Sequence, residues 1–121
     1  MSLPVTISFV DIDPSPALRA RIEDQAQQLT RYAPRLMDCH VSVRLAEHRH
    51  HSGNRFLVRA QVKLPGALLI AGDGASADHS HEDPYIAVRD TFDALRRQLE
   101  AFVEQQRGDV KTHARPGPPT A

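Results

Sequence analysis

The stretch CHVSVRLAEHRHHSGNRFLVRAQVKLPGALLIA, residues 39–71, decides the fold. Cys39, Val41, Val43 and Leu45 alternate with His40, Ser42, Arg44 and Ala46. A period of two sends one set to each side of a strand, so this strand has one apolar face. HRHHSGN follows as a turn, with Gly53-Asn54 giving the backbone its freedom. FLVRAQVKL then alternates again: Phe56, Val58, Ala60, Val62 and Leu64 on one face; Leu57, Arg59, Gln61 and Lys63 on the other. Pro65-Gly66 turns the chain into ALLIAG, a third strand. The reading is an antiparallel meander with an apolar face that something must cover.

The flanks supply the cover. In PVTISFV, residues 4–10, Val5, Ile7 and Phe9 share a face, which predicts a strand. DIDPSP breaks it; Ser15 is a good N-cap and Pro16 suits the first helical position. Leu18, Ile22, Ala26, Leu29 and Ala33 then recur at helical spacing until Pro34, predicting a helix over 16–32. Beyond the meander, HEDPYIAVRDTFDALRRQLEAF (81–102) starts a helix with Asp83 as N-cap and Pro84 in the first turn. Tyr85, Val88, Phe92, Leu95, Leu99 and Phe102 form its stripe, and Gly108 is expected to end it. The order β-α-β-β-β-α predicts an α+β domain over 1–107: a four-stranded mixed sheet with two helices packed on one face. The helical crossover makes the first strand pair parallel, and the sheet's other face stays wet. Residues 108–121, polar and rich in proline, are expected to be a disordered tail.

Composition narrows the function. The chain has 121 residues, enough for one core. Its formal net charge is zero, so a polyanion partner must be met by a local patch. Of the 15 basic residues only Lys63 and Lys111 are lysines; the rest are arginines, which grip phosphate bidentately. Cys39 is the single cysteine, which excludes an internal disulfide and fits a reducing cytoplasm. Its place in the alternation predicts a buried thiol. The start MSLPVTISFV lacks the basic region of a signal peptide. No apolar run approaches the ~20 residues that cross a bilayer, so the expectation is a cytoplasmic protein with no membrane contact.

Three groups of residues are candidates for chemistry. His48, His50 and His51 share one turn, and His79 and His81 one loop. His48, His50, His79 and His81 are metal-ligand candidates, but without a helical His-xxx-His pair or a second cysteine they read as solvated loop histidines, and no cofactor is expected. Asp73, Asp78, Glu82 and Asp83 are loop or capping carboxylates, and no nucleophile–base order stands out. Neither an enzyme nor a small-molecule substrate is expected. The basic residues remain. Arg89 and Arg96 lie a heptad apart on one flank of the last helix, with Arg107 further along and Arg97 nearly opposite the stripe. Arg44, Arg59 and Lys63 project from the wet sheet face. Each could contact phosphate. Arg89–Asp93, Asp93–Arg97 and Arg96–Glu100 could equally be solvated i,i+4 ion pairs.

PALRARIEDQAQQLTRYAPRL, the strand pair around VSVRLAEH and RFLVRAQVKLPG, and DPYIAVRDTFDALRRQL together resemble one family. It is the short ribosome hibernation-promoting factors and ribosome-associated inhibitors, also described as ribosomal subunit interface or sigma-54 modulation proteins. Tyr85, Asp93 and the triplet Arg97-Gln98-Leu99 hold the places of that family's last-helix pattern. The resemblance implies a translation inhibitor that binds the small ribosomal subunit in the channel for mRNA and tRNA during slow growth or stress. It implies ribosomal RNA contacts at Arg19, Arg31, Arg35 and Arg97, beside Arg44, Arg59, Lys63, Arg89, Arg96 and Arg107. The chain stops soon after the last helix, which suggests a short-form member. Gln25, Gln28, Ala101, Val103 and Gln105 stand where the family is usually basic, which lowers the number of phosphate contacts. A diverged module of the same fold, binding a metal through its loop histidines or a protein partner, is the alternative.

Overall fold

The computed structural model describes residues 3–45, 55–72 and 82–114, with side chains to 108. The element order is β1 (Val5–Val10), α1 (Pro16–Gln28), a 3₁₀ turn (Leu29–Arg31), β2 (Asp38–Leu45), β3 (Phe56–Leu64), β4 (Ala67–Ala71) and α2 (Pro84–Ala114). The strands form one sheet in the order β1-β2-β3-β4. β1 runs parallel to β2, with Val5 beside Cys39 and Phe9 beside Val43. β2–β3 and β3–β4 are antiparallel. Gly66, with φ of 77°, takes the left-handed place of the Pro65-Gly66 turn.

The alternation read from sequence becomes two faces. Cys39, Val41, Val43, Val58, Ala60, Val62 and Leu64 are buried, with Leu18, Ile22, Ala26 and Leu29 of the first helical segment and Val88, Phe92, Leu95 and Leu99 of α2 in the same core. His40, Arg44, Arg59 and Lys63 on the other face are exposed. Leu57 shares that outer face by register and lies across from Arg44, yet it is buried.

The caps are where the sequence placed them. Ser15 Oγ accepts from the Leu18 amide at 3.2 Å, and Asp83 Oδ1 from the Tyr85 amide at 2.8 Å. The helix ends differ. α1 closes at Gln28, not 32, and tightens into a 3₁₀ turn. Thr30 Oγ1 donates to the Gln27 carbonyl at 2.7 Å, and Pro34 disfavours helical backbone at Ala33. α2 passes Gly108 and continues to Ala114. Gly108 keeps out of the left-handed conformation that would terminate the helix. A glycine inside an exposed helix costs only about 1 kcal/mol, too little to stop it. Residues 115–121 lie outside the described ones.

Side chains that no periodicity announces lock the layers together. Thr91 Oγ1, buried, donates to the Val58 carbonyl at 3.2 Å, and Gln98 Nε2 to the Ile70 carbonyl at 2.8 Å. The second bond occupies an acceptor on β4, an edge strand. Gln27 exchanges two hydrogen bonds with the Leu3 backbone, at 2.9 and 2.8 Å, tying the chain start to α1.

Candidate nucleic-acid interface

The helices lie side by side and run parallel. Arg21 of α1 stands over Tyr85 near the start of α2, 5.3 Å from the ring centre. Arg96 of α2 stands over Tyr32, just past the 3₁₀ turn, at 6.0 Å. Low positions meet low and high meet high, as expected of two helices that each fold back over the sheet after one of two strands pointing the same way. Arg19 adds a third such contact, 5.6 Å from the Phe9 ring. These contacts hold guanidinium groups at the surface while their stems cover apolar area.

Where the first helical segment ends, Arg31 and Tyr32 face the later turns of α2 across an open groove of about 900 Å³, also lined by Glu100, Glu104 and Arg107 among others. Arg31 and Arg107, far apart in sequence, thus share one wall-to-wall site, and Arg96 joins them through Tyr32. The groove also carries two carboxylates one helical turn apart, so it is mixed in charge. A second recess of about 470 Å³, lined by Phe9, Phe56, Tyr85, Asp11 and Asp13 among others, has no cation among the described residues of its lining.

The remaining candidates spread over both layers. Arg97 and Arg35 are exposed, the first on α2 and the second between the 3₁₀ turn and β2. Arg89 turns to the adjacent Asp90, with Nε and Nη2 at 3.3 and 3.2 Å, rather than to Asp93. Arg44, Arg59 and Lys63 stand on the opposite side of the molecule, on the outer sheet face. Lys63 is across from Asp38, whose carboxylate is 3.9 Å from His40. A shallow depression there is lined by Thr6, Ser8, Ser42, His40 and Arg59 among others. Basic side chains therefore stand on both layers of the molecule, each among carboxylates. Of the glutamines at usually basic places, Gln28 bonds Asp24 at 2.9 Å.

His48, His50, His79 and His81 lie outside the described residues, as do His51, Asp73 and Asp78. Among the described residues no group of three His, Cys, Asp or Glu side chains could hold a metal ion. No helix among them is long and apolar enough to cross a membrane.

A family model described as sigma 54 modulation protein / S30EA ribosomal protein matches residues 5–107, from the first strand to Arg107. The chain belongs to this family. The "Ribosome hibernation promotion factor" of Deinococcus radiodurans is 26% identical over 118 residues, 95% of this chain and 58% of the relative. The chain thus spans a little over half the length of that relative. Two solved structures share the fold. The Thermus thermophilus Protein Y N-terminal domain is 21% identical with a TM-score of 0.57, covering 84% of this chain and 99% of that one. A ribosomal subunit interface protein from Coxiella burnetii is 22% identical with a TM-score of 0.55, covering 88% and 99%. Within the family pattern, the triplet Arg97-Gln98-Leu99 divides its labour: Leu99 is fully buried, Gln98 holds β4, and Arg97 is exposed.

Cys39 is no part of any site. Burial, and secondarily the Asp38 charge, push its thiol from the ordinary 9.0 up to about 12. The neutral thiol's contribution to stability is whole below pH 9 and is lost as pH rises from 9 toward 12. By pH 10.5 the loss reaches about 2 kcal/mol relative to a Cys39→Ala protein. Urea unfolding of both proteins at pH 8 and pH 10.5 measures it; parallel losses would contradict the assignment.

Proposed function

We propose that this chain is a cytoplasmic ribosome-binding protein that silences translation without catalysis, docking on the small subunit in the channel for mRNA and tRNA. Family membership across the whole sheet and both helices is the observation that carries this reading. The name of the Deinococcus relative, a hibernation promotion factor, supports it. The surface supports it too. Exposed arginines on the helical layer and a basic, hydroxyl-lined sheet face would let RNA be met from two sides, as a site inside a channel requires.

Ten basic candidates form the contact set: Arg19, Arg31, Arg35, Arg44, Arg59, Lys63, Arg89, Arg96, Arg97 and Arg107. Nine of the ten are exposed and Arg96 is half-buried, so exposure alone does not rank them. Arg89 is the weakest, because Asp90 already neutralises it. The channel reading is tested by competition. Small subunits loaded with mRNA and initiator tRNA should bind the protein at least ten-fold more weakly than empty ones. Equal binding to both would place it elsewhere on the ribosome.

A further inference from the structure

Tyr32 is a large aromatic ring left 38% exposed in the lining of a groove. It is not a loose side chain. The 3₁₀ turn fixes its backbone, with its amide bonded to the Leu29 carbonyl at 3.0 Å and the Ala33 amide to the same acceptor at 3.2 Å. Arg96, half-buried, covers one face of the ring. A ring held in this way loses little freedom on binding, which favours flat, stackable ligands. Arg31 and Arg107 flank the same groove and suit a phosphate on either side of a stacked group.

The two glutamates then have a role that bare phosphate binding cannot give them. Glu100 and Glu104 are exposed, one turn apart on α2, and line the groove opposite Tyr32. Carboxylates repel phosphate, but they accept hydrogen bonds from exocyclic amino groups such as cytosine N4. An arginine–tyrosine platform with phosphate-binding arginines at its sides and carboxylates at its edge suits a nucleobase that bears an amino group. Uracil, which has none, fits it less well.

We propose that the groove between Tyr32 and the Glu100–Arg107 stretch of α2 is a subsite for one unstacked, amino-bearing base of single-stranded RNA. The base stacks on the Tyr32 ring, its amino group faces Glu100 and Glu104, and its flanking phosphates meet Arg31 and Arg107. The proposal rests on the ribosome-binding reading and adds to it a base preference. Stacking and edge recognition here do not depend on the sheet face, so the subsite works on free RNA as well.

The chain makes the test simple. It has no tryptophan, and Tyr32 and Tyr85 are its only tyrosines. In a Tyr85→Phe protein, tyrosine fluorescence reports Tyr32 alone. Titration with hexamers of cytidine or adenosine at low salt should quench it in a saturable way, about five-fold or more tighter than hexamers of uridine. A Glu100→Gln/Glu104→Gln protein should bind all three hexamers alike, and Tyr32→Leu should weaken cytidine binding about ten-fold, followed by anisotropy of a labelled hexamer. Equal affinity for uridine and cytidine in the Tyr85→Phe protein, or no quenching by any hexamer, would overturn the subsite. Circular dichroism confirms that each variant is folded. Ribosome binding that persists when the hexamers fail to bind would remove the subsite and leave the ribosome reading standing.

Discussion

An Arg31→Glu/Arg97→Glu protein is expected to lose about 100-fold or more in affinity for ribosomes at physiological salt. Both side chains are exposed, one on each helical segment, so reversing them leaves the core untouched. Each lost charge-assisted contact to phosphate costs about 1.5–3 kcal/mol, before the added repulsion. The milder Arg31→Gln/Arg97→Gln protein should lower the slope of log affinity against log salt by about 2, one for each phosphate released. Arg89→Gln is the matched control. Its guanidinium already lies 3.2 Å from Asp90, so its loss should change affinity only a few-fold. Sedimentation at several salt concentrations reads all three. Equal losses in the control and the double variants would mean that net charge alone, rather than these positions, sets binding.

The largest effect on the fold is expected at Gly72, the residue that follows β4. Its φ is +74°, and a Cβ there would lie 2.1 Å from the Val58 carbonyl oxygen and 3.0 Å from Thr91 Cγ2. Gly72→Ala therefore meets two costs together. The left-handed backbone costs a non-glycine residue about 1–2 kcal/mol. The collision falls on the same carbonyl that Thr91 Oγ1 bonds, so the bond that seats α2 on β3 must stretch or break, at about 1 kcal/mol more. Repacking around the displaced strand brings the total to about 3 kcal/mol or more, a large part of the stability of a domain this size. The melting temperature should fall by about 10 °C or more. Gly66→Ala separates the two costs. Gly66 has a similar φ, 77°, but nothing within 4 Å of an added Cβ, so that change should cost only about 1–2 kcal/mol. Thermal melts of the pair that agreed within a degree would show that the Val58 contact carries no weight.

Alternation in 39–64 was enough to assign both faces of the sheet, because burial on one side writes itself into every second residue. Ser15 and Asp83 marked helix starts because caps have their own residue chemistry. Leu57 escaped the rule: a period of two sets it on the polar face, yet it is buried. The close approach of Gly72 to Val58 was equally invisible, because it joins a strand end to the middle of another strand. The same holds for Thr91 and Gln98, polar residues whose partners are backbone carbonyls on other elements.

The candidate interface was legible as a list of arginines and not as a place. Helical periodicity put Arg96 on a flank, but its position over Tyr32 depends on the parallel packing of the helices and on the 3₁₀ turn that aims Tyr32 outward. Arg31 and Arg107 are 76 residues apart, and only the fold brings them to one groove. The expectation of i,i+4 pairing failed at Arg89, where the shorter reach to Asp90 won. Resemblance to the ribosome-associated family identified Arg97-Gln98-Leu99 as a unit. The structure divides it into one surface residue, one edge-strand anchor and one core residue.

The most direct measurement is co-sedimentation of the purified protein with bacterial ribosomes on sucrose gradients, at low and at physiological salt. The protein should migrate with the small subunit and the whole ribosome, more strongly at low salt, and not with isolated large subunits. Migration at the top of the gradient at both salt concentrations would contradict it, and would mean that this member of the family has kept the fold for a different partner.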